Sequence, residues 1–219
     1  MIPPKQNADF VAHMEDVLDV YERPFDAANP VVCMDEQPMQ LIEETRVPLP
    51  AEPGQAERYD YEYRRNGMAN HFMFFQPLGN WRRVSVREQK TSKDWAVEMA
   101  TLLDEDFPEA KKVILVCDNL NTHKIASFYE TFPPERAWNY AQRLEIHYTP
   151  KHGSWLNAAE IELSVLTKQC LGRRIPNIET LRTEVATWQR DRNASKKGID
   201  WQFTTSNARI KLKRLYPQC

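Results

Sequence analysis

The sequence lacks any apolar run that approaches the roughly 20 residues needed to cross a bilayer. Its first residues, 1–7, also lack the basic and apolar regions of a signal peptide, so we expect a cytoplasmic protein. No two of its cysteines form a C-x-x-C pair, which disfavours a disulfide framework or a zinc site. We therefore expect unpaired core thiols at Cys33, Cys117, Cys170 and Cys219.

The chain also has little net charge, −2 over 219 residues, which alone would argue against a nucleic-acid partner. Its charges are unevenly placed, however. Residues 161–219 contain twelve Lys or Arg against five Asp or Glu, a balance of +7, which leaves −9 for residues 1–160. An acidic part could hold metal ions, and a basic part beside it could attract a polyanion. This arrangement suits an enzyme that acts on the phosphate backbone of a nucleic acid. A solvated surface would explain the same charges.

Two short apolar runs end in an acid. Residues 31–34 lead into Asp35, and residues 113–117 lead into Asp118, as buried strands do when they deliver a carboxylate to the edge of a sheet. A third acid, Glu160, flanks the apolar stripe of a helix that Ser154 is predicted to cap. Three such carboxylates would form an oxygen-rich site suited to Mg²⁺ or Mn²⁺.

The other elements follow from periodicity and from turn residues. Asn7 precedes an amphipathic helix, and the proline-rich residues 47–54 predict a loop. Asn66-Gly67 predicts a hairpin between strands 59–65 and 71–75, and a second hairpin leads to strand 81–86. Tyrosines alternate with charged residues in 59–63; they could stack on nucleic-acid bases, but packing on the sheet explains them more simply.

Further along, Thr91 or Ser92 caps a helix, and strand 113–118 follows it. Helices are predicted at about 122–132 and 135–143, and a strand at 144–148. This order of strands and helices is that of a ribonuclease-H-like fold, which is an α/β architecture with a mixed five-stranded sheet flanked by helices. In that fold the strands that carry Asp35 and Asp118 lie side by side.

Two motifs make the comparison more specific. Residues 118–123 form the pattern D-N-x-x-x-H, and residues 154–160 form S-x-x-N-x-x-E. Together they resemble the catalytic core of DDE transposases, in particular the bacterial insertion-sequence transposases related to the mariner superfamily. The resemblance extends from about Val31 to about Leu171. It implies that Asp35, Asp118 and Glu160 are the catalytic acids and metal ligands.

The resemblance also implies a mechanism and partners. Two Mg²⁺ or Mn²⁺ ions per site would serve the attacking and leaving oxygens of phosphodiester cleavage at transposon ends, and the freed 3′-hydroxyl would then attack target DNA. The partners would be terminal inverted repeats and target DNA, bound by a homodimer associated with the bacterial nucleoid. No covalent enzyme intermediate is required, which agrees with the absence of an obvious nucleophile set.

The sequence departs from the family pattern at two points. Ala158 stands where mariner relatives usually have proline, a change we take as neutral for the chemistry. Family members also carry a helix-turn-helix region before the catalytic core, and the residues before Val31 leave no room for one. We therefore expect a catalytic part that lacks its N-terminal DNA-recognition domain.

Several other residues are candidates for positioning roles. Asn119, His123, His152 and Asn157 each lie within one turn or loop of an acid, where they could orient a ligand or a phosphate. Trp155 could wedge into DNA or anchor the start of the helix. The basic, helical C-terminal part offers phosphate contacts, for which the candidates are Arg173, Arg174, Lys196, Lys197, Arg209, Lys211, Lys213 and Arg214.

We expect three regions: an N-terminal helix and lead-in at 1–30, the ribonuclease-H-like core at 31–175, and a helical basic C-terminal extension at 176–219. Two other functions stay open. The chain could be a nuclease that only hydrolyses, or an inactive DNA-binding remnant that keeps the fold.

Overall fold

The computed structural model describes residues 5–58 and 60–217. Tyr59 and Cys219, on which predictions fall, lie outside the described residues. Cys33 and Cys117 are buried and Cys170 is partly buried, and all three are free thiols as expected. No helix in the described ranges combines the length and the apolar character that a bilayer crossing requires.

The described residues form five strands and seven α-helices, with a π-helical turn at Leu102–Asp106 and 3₁₀ turns at Ser154–Leu156 and Lys213–Leu215. The strands are β1 (Val31–Glu44), β2 (Tyr63–Gln76), β3 (Trp81–Arg87), β4 (Val113–Cys117) and β5 (Leu144–Tyr148). The helices are α1 (Ala8–Tyr21), α2 (Ser92–Thr101), α3 (Ala126–Thr131), α4 (Pro134–Arg143), α5 (Ala158–Gln169), α6 (Ile178–Ala194) and α7 (Thr205–Lys211).

The strands form one mixed sheet in the order β3-β2-β1-β4-β5. β1 pairs antiparallel with β2, and β2 pairs antiparallel with β3. On the other side, β4 pairs parallel with both β1 and β5. The predicted ribonuclease-H-like arrangement, in which β1 and β4 are neighbours, is confirmed.

Helices cover both faces of the sheet because its strands alternate their apolar side chains between two cores. One face carries Cys33 and Val116 and packs against α1, α5, α6 and α7. The other face carries Met34 and Leu115 and packs against α2, α3 and α4. The predicted N-terminal and C-terminal regions thus share a hydrophobic core with the face of the sheet that α5 covers.

The hairpin predicted at Asn66-Gly67 is wrong. β2 runs through both residues, which lie opposite the single residue Leu41 of β1 because the register shifts between Gln40 and Ile42. Gly67 adopts a positive φ of 92°, so the pair forms a β-bulge instead of a turn. The long partner strand β1 allows pairing to continue past the bulge and overrides the local turn preference. The sheet therefore has five strands.

The predicted packing of the tyrosine stripe is also wrong for the residues described. Tyr61 is 84% exposed and Tyr63 is 43% exposed. The reason is that β3 pairs only with residues 70–76 of β2, so the beginning of β2 extends beyond its neighbour. Tyr63 is instead contacted by the guanidinium groups of Arg65 and Arg174.

The predicted helix starts are partly confirmed. Asn7 caps α1 and Thr91 caps α2 with a complete capping box. Ser154 does not cap α5, because residues 154–156 form a 3₁₀ turn and Asn157 is the N-cap. The helix predicted at 122–132 is limited to Ala126–Thr131.

The outer strand β3 is covered by side chains of α6. The backbone N–H of Val84 donates to Gln189 Oε1 at 2.7 Å. Asn193 accepts from the N–H of Arg82 at 3.0 Å and donates to its carbonyl at 2.8 Å. Amide side chains thus replace the missing neighbouring strand along this edge.

A buried ion pair joins the same two elements to α5. The Arg82 and Glu162 side chains are 0% and 1% exposed, and Arg82 Nε lies 3.2 Å from Glu162 Oε2. Arg192 of α6 donates to both oxygens of Glu162, at 2.9 and 3.3 Å. Glu162 therefore connects the helix that carries Glu160 to β3 and α6.

Candidate active site

The strand register brings two of the predicted acids to the same level. Cys33 of β1 pairs with Val116 of β4, and both side chains point to the face that α5 covers. Asp35 and Asp118 each lie two residues further along, and side chains alternate with a period of two. The carboxylates of Asp35 and Asp118 therefore project toward α5 from adjacent strands. Glu160, in the first turn of α5, faces them.

A buried hydrogen bond fixes the start of α5 against β1. Asn157 is 2% exposed and its Nδ2 donates to the carbonyl of Met34, the residue before Asp35, at 2.8 Å. The Oδ1 of Asn157 accepts from the N–H of Ala159 and caps the helix. One amide therefore sets both where the helix begins and how close Glu160 lies to Asp35.

Replacing Asn157 by alanine should lower the free energy of unfolding by more than the loss of a helix cap alone would. The variant removes the cap and leaves the buried Met34 carbonyl without its donor, so we expect a loss of about 2–3 kcal/mol. It should also lower catalysis about 10- to 100-fold, as outer-shell changes at metal sites do. Chemical denaturation and cleavage assays measure the two effects.

Asn177→Ala is the matched control for this prediction. Asn177 caps α6 in the same way, accepting from the N–H of Thr180 at 2.8 Å, but its side chain forms no hydrogen bond to the sheet within residues 5–58 and 60–217. Its replacement should cost about 1 kcal/mol and leave catalysis unchanged. Equal losses of stability in the two variants would contradict the positioning role of Asn157.

His123 connects Glu36, within β1, to the end of β4. Its ring is fully buried, and Nε2 lies 3.0 Å from Glu36 Oε1. Nδ1 donates to the backbone oxygen of Asp118 at 3.2 Å and lies 2.7 Å from the Asp118 carboxylate. Tyr148 of β5 donates to the His123 carbonyl at 2.7 Å and fixes the loop that carries it.

The surroundings of His123 favour its cationic form. Burial lowers the pKa of His123, but hydrogen bonds to Asp118, Cys117 and Glu36 outweigh burial and raise the pKa well above its usual range. Both ring nitrogens can then donate to acceptors. His123 thus contacts Asp118 and also Glu36, which lies on the opposite face of the sheet from Asp35. Its positioning role stays a prediction.

Asp35 has a strongly perturbed carboxyl group. Burial raises the pKa of Asp35 to about 7, and the negative charges of Asp118, Glu160 and Glu36 add to this effect. A hydrogen bond from the N–H of Glu36 at 2.7 Å opposes it in part. The folded protein therefore holds a carboxylate where charge is unfavourable unless a cation is present.

This perturbation predicts how stability depends on pH without metal. The pKa of Asp35 is raised from 3.8 to about 7, so the unfolded chain loses this proton first as pH rises. The free energy of unfolding should fall between about pH 4 and pH 7, and the loss should be complete above pH 7. Asp35→Asn removes this penalty, and we expect it to raise Tm by several degrees at pH 8 in EDTA.

Asp200→Asn provides the control, because Asp200 is exposed. Melting curves of the three proteins are compared from pH 4 to pH 8. The difference in stability between Asp35→Asn and wild type should grow with pH, whereas Asp200→Asn should follow wild type throughout. A difference in stability that does not change with pH would contradict the raised pKa of Asp35.

Glu160 is partly buried and accepts a hydrogen bond from Ser154. Burial raises the pKa of Glu160, the bond from Ser154 opposes this, and the charge of Asp118 adds to it. Ser154, predicted as a cap, thus contacts the catalytic candidate itself. It lies one 3₁₀ turn before the helix.

Two separate clefts are lined by these acids. One, of about 380 Å³, is lined by Asp35, Glu36 and Glu160. The other, of about 510 Å³, is lined by Asp118, Asn119 and His152 together with Asp9 and His13 of α1.

The remaining motif residues differ in their surroundings. Asn119 is exposed beside Asp118. His152 is exposed and holds a left-handed conformation with φ of 67°, just before Gly153, where a Cβ would clash with Pro150. Trp155 packs its ring edge-to-face on Phe203 at 5.7 Å, in contact with the core, which agrees with an anchoring role.

The site suits a divalent cation in chemistry and charge. Its donors are the carboxylate oxygens of Asp35, Asp118 and Glu160, and the negative charges of Asp118 and Glu160 act on Asp35. In addition, Asp118 Oδ1 is buried, and its contact with His123 Nδ1 at 2.7 Å is not aligned as a hydrogen bond. As oriented, no three His, Cys, Asp or Glu side chains in residues 5–58 and 60–217 converge on one metal position. Binding would therefore require the carboxylates to turn toward the ion.

The predicted DNA-binding cations fall into two groups. Arg173 pairs with Glu184, Arg174 with Glu44 and Arg209 with Glu15, at 2.5, 2.7 and 2.8 Å. The others are exposed and form no ion pair with any described residue, namely Lys196, Lys197, Lys211, Lys213 and Arg214.

The sequence analysis missed several residues of the site. Glu36 follows Asp35 directly, but its role depends on His123, 87 residues away. His13 and Asp9 of α1 reach the second cleft through the packing of α1 on the sheet. Gln37, Ser164, Thr167 and Lys168 line the first cleft. Only helical spacing from Glu160 could have indicated the last three.

Solved structures with a similar fold are Mos1 transposase complexes. The chain matches the Mos1 strand transfer complex with a TM-score of 0.57 and 14% identity over 83% of this chain and 53% of that one. It matches the Mos1 mariner paired-end complex with Mn with a TM-score of 0.57 and 15% identity over 90% and 60%. The complex with Mg gives a TM-score of 0.54 and 14% identity over 91% and 66%. The chain thus spans about half to two thirds of these Mos1 chains, and the likeness establishes the ribonuclease-H-like fold.

A search among curated proteins found no match. The family comparison is informative, because residues 30–182 match the profile of the DDE superfamily endonucleases. The matched stretch covers well over half of the chain and contains Asp35, Asp118 and Glu160. On this evidence the chain belongs to the DDE superfamily of endonucleases.

Proposed function

We propose that this chain is the catalytic part of a mariner-related DDE transposase. It would cleave phosphodiester bonds at transposon ends and transfer the 3′-hydroxyl strand to target DNA. The observation that carries the proposal is the meeting of Asp35, Asp118 and Glu160 from two adjacent strands and one helix. Membership of the endonuclease family and the fold shared with Mos1 support it.

The family implies a divalent metal, and Asp35, Asp118 and Glu160 are the residues that would hold it. Two bound Mg²⁺ or Mn²⁺ ions would activate the attacking water or hydroxyl and stabilise the leaving oxygen. The protein's own part is to hold the ligands in place. Asn157 fixes α5 on β1, and His123 orients Asp118.

The proposed partner is DNA, including terminal inverted repeats and target DNA. The cations that the structure leaves exposed in the C-terminal part would contact phosphates, together with Arg173, Arg174 and Arg209 once their carboxylate partners are displaced. Since three of the similar Mos1 structures are paired-end complexes, we propose that two copies act together on DNA. The enzyme would act at the nucleoid of a bacterial cell.

Metal-dependent DNA cleavage tests the proposal. The protein is incubated with labelled DNA that carries the element's ends, in Mg²⁺, in Mn²⁺ and in EDTA. We expect nicking at the ends in either metal and none in EDTA. A second reaction supplies pre-cleaved ends with a free 3′-hydroxyl and a supercoiled target plasmid, and we expect covalently joined products.

The two reactions separate the alternatives. Cleavage without joined products would favour a nuclease that only hydrolyses. Salt-sensitive DNA binding with no metal-dependent reaction of either kind would favour an inactive remnant.

A further inference from the structure

A third cleft, called here the α5–α6 cleft, opens between α5 and α6, beside the cleft that contains Asp35 and Glu160. Its volume is about 610 Å³. One wall is the end of α5 with the loop that follows it, and the other is α6 with the segment up to Lys197. No residue of the proposed metal site lines it.

Lys168 connects this cleft to the active site. It lines the α5–α6 cleft and also the cleft that contains Asp35 and Glu160. It lies eight residues after Glu160, which is about 12 Å along a helix at 1.5 Å per residue. Between them, Ser164 and Thr167 line the catalytic cleft on the same side of α5. A polar path therefore leads from the acids to Lys168.

The charges of the α5–α6 cleft favour an anionic partner. Lys168 and Lys197 are exposed, and neither forms an ion pair with any residue in the described part of the chain. The acids of the cleft wall are already bound, because Glu184 pairs with Arg173 and Asp191 pairs with Arg190. Two ammonium groups on facing walls thus remain available to phosphates.

We propose that the α5–α6 cleft binds the sugar-phosphate backbone of the DNA strand that extends from the scissile phosphate, with Lys168 and Lys197 as its contacts. The distance of about 12 Å corresponds to three or four base-pair steps at 3.4 Å each. This inference rests on the proposed function, since it takes DNA as the substrate. The inference identifies the α5–α6 side of the active site as the side along which the bound DNA continues.

The salt dependence of DNA binding tests the inference. Binding of a labelled 30-base-pair duplex is measured in EDTA over about 50–200 mM salt for wild type and for Lys168→Gln/Lys197→Gln. Each lost phosphate contact reduces the magnitude of the negative slope of log K against log salt by about 0.9. The slope of the double variant should therefore be shallower than that of wild type by about two. Its affinity near 100 mM salt should fall roughly tenfold or more.

Lys90→Gln/Lys93→Gln is the matched control. Both lysines are exposed: Lys93 lies in α2, on the face of the sheet opposite α5, and Lys90 lies in the loop before α2. The variant removes the same charge. Its slope should equal that of wild type. Equal slopes for all three proteins, or equal losses in the two double variants, would overturn the inference. Melting temperatures near that of wild type confirm that both variants fold.

Metal-dependent cleavage by wild type on DNA carrying the element's ends is measured alongside. If wild type cleaves and the Lys168→Gln/Lys197→Gln variant binds DNA with the wild-type salt dependence, only the assignment of the α5–α6 cleft is wrong. If wild type does not cleave but the slope still falls by about two, the cleft binds DNA and the proposed catalytic function is wrong.

Discussion

Glu160→Gln is expected to lower metal-dependent DNA cleavage by about 10³-fold or more while leaving the fold intact. The substitution keeps the shape of the side chain and removes the negative charge that would bind a cation. On the proposed function, Glu160 would be a metal ligand, and its loss would remove several kcal/mol of transition-state stabilisation; about 4 kcal/mol corresponds to a factor of 10³. Because Glu160 lies near Asp118 in a cleft that raises its pKa, we expect Tm in EDTA to be equal to or above that of wild type.

Glu179→Gln is the control for this result. Glu179 lies in the first turn of α6, as Glu160 lies in the first turn of α5, but its side chain is 75% exposed. Its replacement should leave cleavage unchanged. Single-turnover cleavage rates and melting curves with and without Mg²⁺ provide the readouts. Mg²⁺ should raise Tm of wild type and of Glu179→Gln more than that of Glu160→Gln. A Glu160→Gln protein that cleaves at the wild-type rate would refute the assignment.

The second large effect is expected on stability, at the buried pair of Arg82 and Glu162. Glu162→Ala leaves the guanidinium of Arg82 buried without its carboxylate, and breaking a buried pair in this way costs about 3–5 kcal/mol. For a chain of this length, that corresponds to a fall in Tm of roughly 6–20 °C. Differential scanning calorimetry measures the effect directly.

Two comparisons distinguish this effect from a general sensitivity to charge removal. Glu184→Ala removes the partner of Arg173 at a site where both side chains are well exposed, so it should cost at most about 1 kcal/mol. Arg82→Met/Glu162→Leu replaces both members of the buried pair by apolar residues. It should be more stable than Glu162→Ala, since no charge is left uncompensated. If Glu162→Ala and Glu184→Ala were equally stable, the buried pair would have no special role.

The fold and the placement of the acids could be predicted because they depend on local pattern. The apolar run before Asp118 ends where β4 ends, whereas the run before Asp35 ends inside β1, which continues to Glu44. In both strands the period of two fixes which face each carboxylate takes. Glu160 follows from the helical period of its neighbours. Membership of the family matches what the two motifs indicate.

The predictions that failed depend on partners distant in the chain. Asn66-Gly67 has strong turn preference, but pairing with the long strand β1 makes it a bulge. Ser154 is a good capping residue, yet Asn157 takes that position because its side chain also reaches the Met34 carbonyl. The contact of Glu36 with His123 depends on how β1 and the loop after β4 pack together, which no local pattern encodes.

The amides of α6 that cover β3 have a consequence for any attempt to isolate the catalytic domain. A chain cut after Ile175 would lose Gln189 and Asn193. The N–H groups of Arg82 and Val84 and the C=O of Arg82, which these amides satisfy, would then become available to other strands. An open edge of this kind recruits further copies and leads to aggregation. We therefore expect α6 to keep β3 from pairing with other copies of the chain, and a chain cut before α6 to be insoluble.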